Sequence, residues 1–94
     1  MENNAKKTII TVIGKDTVGI IAKVCTYLAE NKINILDISQ TIVQGYLNMM
    51  MIVDANQSAK DIVVIAQDLE EVGKEISVII KAQSEEIFDM MHRI

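Results

Sequence analysis

The segment of this chain best suited to chemistry is the loop Gly14–Gly19, which lies between two apolar stretches. Gly14 and Gly19 carry no Cβ, so the backbone there can turn sharply and approach a bound molecule closely. A helix follows, and its first amides and dipole favour a carboxylate or another anion. The carboxylate of Asp16 could accept hydrogen bonds from an ammonium group. A loop that offers both functions suits a zwitterion such as an amino acid.

The same residues also have a purely structural interpretation. Asp16 or Thr17 could cap the following helix, because a side-chain oxygen at that position accepts hydrogen bonds from otherwise unpaired amides. The two glycines would then only turn the chain. The residues of the loop leave both interpretations open.

Other chemistries are poorly supported by the residues present. The loop has the glycine spacing of a phosphate loop, but Ile20 and Ile21 stand where lysine and serine or threonine are required. Cys25 is the only cysteine, and no histidine is placed to activate it, so we interpret it as a buried structural thiol. His92 is the only histidine and has no neighbouring cysteine cluster. We expect no catalysis, metal or cofactor.

Composition and charge restrict the class of protein. The chain has 94 residues, which suits one domain, and its net charge is −4 with nine scattered lysines and arginines. Nucleic-acid binding and attachment to an anionic membrane both need clustered basic residues, so we expect neither. No apolar run reaches the ~18 residues of a membrane span, and the polar N-terminus does not resemble a signal peptide. We therefore expect a cytoplasmic protein.

Hydrophobic periodicity predicts the elements that position the loop. Thr8–Ile13 is rich in β-branched residues and apolar on both faces, as expected of a central strand. A helix follows and stops at Asn31, which tolerates a left-handed conformation. Its predicted inner stripe, spaced i, i+3, i+4 and i+7, is Ile21, Val24, Cys25 and Leu28.

Two strands, Ile33–Val43 and Tyr46–Val53, flank the short turn Gln44-Gly45 and predict a hairpin. Strict alternation in the first of them places Asn34, Leu36, Ile38, Gln40 and Ile42 on one face. Ser58 is the predicted N-cap of a second helix that ends at Gly73. The inner stripe of that helix is predicted to be Ile62, Ala66, Leu69 and Val72.

A fourth strand is predicted at Ile76–Ala82, and Ser84 is predicted to cap a short C-terminal helix. The apolar stripe of that helix is Ile87, Met90, Met91 and Ile94.

The order β-α-β-β-α-β predicts an α+β, ferredoxin-like sandwich with an extra short C-terminal helix. Its four-stranded antiparallel sheet carries both long helices on one face. We divide the chain into an N-terminal tail (1–6), the domain (7–83) and the C-terminal helix (84–94). Alternate strand positions are apolar, so the other sheet face must also be covered. The C-terminal helix, a second subunit, or both are candidates, and we expect a homodimer.

The loop and the following strand together resemble a known signature. The run Gly14–Ile20, followed by Ile33–Asp37, is similar to the glycine-rich loop and the strand opening of ACT domains. The resemblance covers residues 7–83 and extends to stand-alone bacterial ACT proteins. It also includes the ACT modules of the glycine-cleavage regulator and of formyltetrahydrofolate deformylase. Thr17 and Val18 depart from the family pattern, which often has a basic residue and proline there.

This resemblance implies a regulatory module that binds an amino acid at the interface between two domains. Contacts in the family come from the loop before the first helix and from the asparagine that opens the second strand. The implied ligand-binding residues of this chain are Gly14, Asp16, Thr17, Val18, Gly19, Ile20 and Asn34. A protein that receives the signal is also compatible with this role. The alternative is a protein–protein interaction module without a small-molecule ligand.

Overall fold

The computed structural model describes residues 7–91, except for the side chain of Met91. The element order confirms the predicted β-α-β-β-α-β arrangement followed by a short helix. The predicted tail 1–6, His92 and Ile94 lie outside the described residues. The elements are β1 (Lys7–Lys15), α1 (Ile20–Glu30), β2 (Asn34–Val43), β3 (Tyr46–Asp54), α2 (Ile62–Glu75), β4 (Val78–Ser84) and α3 (Glu85–Met91).

The four strands form one antiparallel sheet in the order β2-β3-β1-β4. This order makes β1 an interior strand, as its two apolar faces predict. One face of the sheet, here called the helix face, packs against α1 and α2 to form the core. Buried residues on this face include Ile10, Val12, Met49, Met51 and Ile80. The opposite face is called the open face.

Helix α1 begins at Ile20, one residue before Ile21, the first residue of the predicted inner stripe. Gly19 is the N-cap, in a left-handed conformation with φ 94°, and within the described chain no side chain caps this helix. The predicted capping role of Asp16 or Thr17 is therefore wrong. Beginning the helix at Ile20 rotates the buried stripe, so Ile20 is buried while Ile21 is 40% exposed. The predicted inner position of Ile21 is also wrong.

The end of α1 lies where the sequence predicts it, but by a different mechanism. Asn31 is the C-cap with φ −106°, which is not left-handed. Its side-chain amide donates a hydrogen bond to the carbonyl of Tyr27 at 2.9 Å. The left-handed residue is Lys32, with φ 59°. Asn31 therefore ends the helix through its side chain rather than through its backbone conformation.

Helix α2 differs from its prediction at both ends. Its N-cap is Asp61, whose Oδ1 accepts a hydrogen bond from the amide of Val64 at 3.1 Å. The predicted N-cap, Ser58, instead accepts from the amide of Lys60 in the preceding turn. Gly73 does not end the helix, which continues to Glu75, and it is buried against β4. The strand that follows consequently begins later than predicted.

The β2–β3 hairpin contains a bulge that the sequence analysis did not anticipate. Gln44 and Gly45 both have positive φ, as a two-residue hairpin turn requires. Ile35 pairs with Val53, but Asp37 pairs with Ile52, so Leu36 is an extra residue. Strict alternation is therefore wrong: Asn34 lies on the same face as Asp37, not with Ile38 and the later members of its predicted set.

The open face, which the alternating apolar strands predict to be covered, is only partly covered within one copy of the chain. Helix α3 contacts β1 and β4, and Ile9 on the open face is only 5% exposed. The predicted cap of this helix is confirmed, since Ser84 Oγ accepts from the amide of Ile87 at 3.2 Å. Farther from α3, Ile13 and Ile79 remain about half exposed or more. The predicted apolar surface therefore exists, and α3 covers only one part of it.

Candidate ligand-binding site

The loop after β1 is exposed and fixed to the β2–β3 turn. The backbone amide of Asp16 donates a hydrogen bond to the carbonyl of Gly45 at 2.8 Å. Lys15, Asp16 and Thr17 are exposed, and Val18 is fully exposed. Ile20 is instead part of the core, so it supports the loop from below rather than lining a surface site. The loop therefore has a defined position, and its side chains are accessible.

Backbone groups at the start of α1 are available to an anion. The first helical hydrogen bond runs from the amide of Lys23 to the carbonyl of Gly19 at 2.9 Å. The amides of Ile20, Ile21 and Ala22 therefore have no acceptor inside the helix. A Cβ placed on Gly19 would have no heavy atom within 4 Å, so its backbone faces open space. Free amides and an open approach are the features that bind a carboxylate.

The carboxylate of Asp16 is not used by the helix. The structural alternative required Asp16 or Thr17 to cap α1, and neither does so. The Asp16 side chain is exposed and lies three residues before Gly19, where the backbone is open. The loop therefore carries an unused hydrogen-bond acceptor shortly before the helix whose first amides are free.

Asn34 lies at the other end of the sheet from this loop. It pairs with Asp54, which also pairs with Lys7 at the start of β1. The loop follows Lys15, at the opposite end of the same strand. The eight residue steps between Lys7 and Lys15 correspond to about 26 Å along the strand. One copy of the chain therefore does not bring Asn34 to the loop.

The strand that carries Asn34 is exposed on three sides. β2 is an edge strand of the sheet, and its residues on the helix face, such as Ile38 and Ile42, are exposed because the helices do not extend over them. Asp37 is its only charged residue. Edge strands are usually protected against pairing by charges, prolines or cover. β2 therefore has the properties of a strand that pairs with another chain.

A polar cluster between the two long helices was missed by the sequence analysis. The Tyr27 hydroxyl on α1 donates to Asp68 Oδ2 on α2 at 2.7 Å, and Lys60 Nζ donates to the same oxygen at 2.7 Å. The Lys60 ammonium also lies 5.3 Å from the centre of the Tyr27 ring. Burial, then the hydrogen bond to Asp68, raises the pKa of Tyr27, so its phenol stays protonated at neutral pH. No sequence spacing connects these residues, because they lie on different elements.

We expect this cluster to stabilise the fold in a pH-dependent way. The hydrogen bonds from Lys60 and then Tyr27 lower the pKa of Asp68 below its ordinary value. A lowered carboxyl pKa contributes stability above the unfolded pKa of ~3.9, and this contribution is lost as the pH falls through the folded pKa. Tyr27→Phe should cost about 1 kcal/mol at pH 7, and this cost should fall as the pH is lowered through the folded pKa of Asp68, measured by urea unfolding across the acid range. A cost that does not change with pH would contradict this role of Asp68.

Residues 7–91 contain no group of three histidine, cysteine, aspartate or glutamate side chains that could hold a metal ion. Across the same range, none of the helices is both long enough and apolar enough to cross a membrane.

Comparison with known sequences supports the resemblance stated above. The sequence pattern of the ACT domain matches residues 6–83. A UPF0237 protein of Bifidobacterium longum is 59% identical over 88 residues, which cover 94% of this chain and 98% of that protein. The chain is thus similar along nearly its whole length to a protein of about the same size.

Solved structures agree with this comparison. An ACT domain protein from Streptococcus pneumoniae has a TM-score of 0.80 and 42% identity, covering 92% of this chain and 97% of that one. A formyltetrahydrofolate deformylase from Pseudomonas syringae pv. tomato has a TM-score of 0.79 and 20% identity. That match covers 86% of this chain and 28% of the deformylase, so it shows a shared fold with one part of a larger protein.

Proposed function

The chain belongs to the ACT-domain family, and from this premise we propose that it is a regulatory module that binds an amino-acid-sized ligand as a homodimer. ACT domains generally bind amino acids for regulation, and no catalytic family is indicated for this chain. The function is argued from the site rather than from the fold, because one fold can host many functions.

The observation that carries the proposal is the separation of Asn34 from the loop. Two copies related by a two-fold axis can pair their β2 strands in an antiparallel manner. The start of one β2 then lies beside the end of the other, at the partner's Val43. That end continues into the turn whose Gly45 carbonyl binds the amide of Asp16. Asn34 of one copy thus comes to the loop of the other, and the dimer has two equivalent sites.

The two edges of the sheet differ in a way that favours β2 for this contact. Asp37 is the only charged residue of β2, and a pairing that brings Asn34 to the partner's Val43 does not place the two copies of Asp37 directly opposite each other, so no like charges meet. Apolar side chains on both faces, including Ile38 and Val43, would be covered in part. β4, the other edge, carries Lys81 at its centre, which opposes pairing with itself.

Each part of the composite site has one task in this arrangement. The free amides of Ile20 to Ala22 bind the carboxylate of the ligand, and Asp16 accepts hydrogen bonds from the ammonium group of the ligand. Asn34, from the second copy, can donate and accept, so it binds either group. A ligand of six to ten heavy atoms gains at most ~1.5 kcal/mol per atom, and most gain far less. We therefore expect a dissociation constant from micromolar to millimolar, suited to an abundant metabolite.

A thermal-shift screen against the twenty amino acids, each at about 10 mM, tests this proposal. A ligand that binds only the folded state adds ~2.7 kcal/mol of stability when it is present at a hundred times its dissociation constant. We expect one chemically related set to raise the Tm, and we expect Asp16→Ala to abolish the rise. Glu30→Ala, an exposed change at the far end of α1, should keep it.

Two results would count against the proposal. A rise that persists in Asp16→Ala would place the ligand elsewhere on the protein. The absence of a rise with any amino acid would favour the alternative, a protein–protein interaction module that uses the exposed apolar surface around Ile13 and Ile79.

A further inference from the structure

The second edge of the sheet borders a groove that the proposed dimer leaves open. β4 is the strand at that edge, and its outer side has no neighbouring strand among residues 7–91. A groove of about 410 Å³ lies between this strand and α2. We call it the β4 groove. In an antiparallel strand, alternate residues direct their amide and carbonyl groups outward, so the edge can bind a further extended chain.

The β4 groove has two sides of different chemistry. Towards the helix face it is lined by apolar residues, including Ala66, Ile80 and Ala82. Pairing of Val12 with Ile80 and of Thr11 with Lys81 places Lys81 on the other side, the open face. An added strand would therefore meet apolar side chains on the helix face with every second residue, and on the open face it would meet Lys81 between Ile79 and Gln83.

Charge is also distributed unevenly around the groove. Lys81 is exposed and makes no ion pair within the described chain. On α2, Glu70 and Lys74 line the rim, and Lys74 makes only an exposed 3.4 Å contact with Glu71. Two lysines face one glutamate in the groove, so its net charge is positive although the chain as a whole carries −4.

A second copy of this chain does not fit the edge by pairing with β4 itself. Lys81 is the fourth of the seven residues Val78–Ser84. A two-fold antiparallel pairing over the full strand would place Lys81 directly opposite the partner's Lys81. Like charges directly opposite are destabilising, and lysine on an edge strand commonly prevents such self-pairing. The same lysine attracts an acidic residue on a different chain.

We propose that the β4 groove binds an extended segment of another protein in which apolar and acidic residues alternate. The segment adds a fifth strand beside β4. Its apolar residues pack towards Ala66 and Ile80, and an acidic residue faces Lys81 on the open face. Because the proposed dimer uses β2, at the opposite edge, this surface stays accessible in the dimer. The module would thus have one edge for its own copy and one for the protein it regulates.

The probe for this inference is a five-residue, capped peptide of alternating valine and glutamate, labelled with a fluorophore. Fluorescence anisotropy should show saturable binding to the full chain, and a matched peptide of valine and lysine should bind at least about tenfold more weakly. Lys81→Glu should reverse this preference, because it reverses the charge that the peptide meets. The Lys81 side chain is exposed, so the change leaves the core intact. Lys32→Glu, an exposed change of the same charge away from the groove, should not affect it.

Amide chemical shifts locate the bound peptide. We expect changes concentrated in residues 78–83 and along α2 from Ala66 to Lys74. Equal binding of the acidic peptide to wild type and Lys81→Glu would overturn the inference. So would shift changes confined to β2, or no saturable binding at the highest soluble peptide concentration. None of these outcomes bears on amino-acid binding, which the Asp16→Ala experiment tests separately.

Discussion

A mixture of Asp16→Ala and Asn34→Ala proteins is expected to bind the amino acid that neither variant binds alone. Each variant by itself forms a dimer in which both composite sites lack one group. A mixed dimer has one site with both defects and one site with neither, because the loop and the asparagine of each site come from different copies. This expectation follows from the register, which places Asn34 and the loop at opposite ends of the sheet within one copy.

The fraction of sites that regain binding follows from random pairing of the two variants. If the two variants are unfolded together, mixed in equal amounts and refolded, about half of the dimers are mixed, and each has one intact site of two. About a quarter of all sites should therefore bind with wild-type affinity, measured by isothermal titration calorimetry. The ligand is the amino acid identified by the thermal-shift screen.

A pair of lysine substitutions tests whether the recovered binding depends on pairing of the two β2 strands. Ser39→Lys places a lysine near the centre of β2, where two copies would bring like charges together. We expect this change to yield monomers by analytical ultracentrifugation and to abolish recovery when it is added to both variants. Thr26→Lys adds the same charge on the exposed side of α1 and should leave the dimer intact. Binding by either variant alone, or no recovery from mixed dimers, would contradict the composite site.

Hydrophobic periodicity was sufficient to predict the fold, because apolar residues recur every two positions in the strands and every three to four positions in the helices. The β-branched run at Thr8–Ile13, the turn Gln44-Gly45 and the cap at Ser84 all have local causes, and the structure confirms each of them. The order of elements then allows few topologies, because sequential strands tend to be neighbours and connections are short.

The errors arise where a residue's role depends on a distant part of the chain. The bulge at Leu36 is a property of pairing with β3, and no feature of β2 alone marks it. The cluster of Tyr27, Lys60 and Asp68 joins two helices whose relative rotation the sequence does not specify. The N-cap of α1 was misassigned because Asp16 and Gly19 are both reasonable N-caps by residue type.

The candidate site also combines features that local sequence determines with features that depend on distant parts of the chain. The loop follows from local sequence, and in the structure residues 15–19 are exposed and lie just before α1. The assignment of Asn34 as a ligand-binding residue rests on the resemblance to ACT domains. Its distance from the loop is a property of the strand register, which the sequence alone does not give. The two-chain character of the proposed site is therefore a consequence of topology, which no single segment contains.

Gly73→Ala is expected to destabilise the protein, although alanine is the better helix former. A Cβ on Gly73 would lie 2.6 Å from the backbone oxygen of Val78 and 3.2 Å from Cγ1 of Ile80. The backbone oxygen belongs to β4 and cannot move without shifting the strand, and overpacking of this kind costs about 1–3 kcal/mol. Alanine in a helix interior gains about 1 kcal/mol over glycine, which offsets only part of this cost. Because the closest contact is with backbone, we expect the cost to be about 2–3 kcal/mol and the net loss about 1–2 kcal/mol.

The sign of this change distinguishes two roles for Gly73. If the glycine only interrupted α2, alanine would stabilise the helix and raise the Tm. If it allows α2 to approach β4, alanine should lower the Tm by roughly 5–10 °C, as measured by calorimetry. Gln67→Ala, an exposed change on the same helix, should leave the Tm nearly unchanged. The close approach also brings α2 to the edge of the sheet beside β4, so Gly73→Ala should weaken binding of the acidic peptide as well as lowering stability.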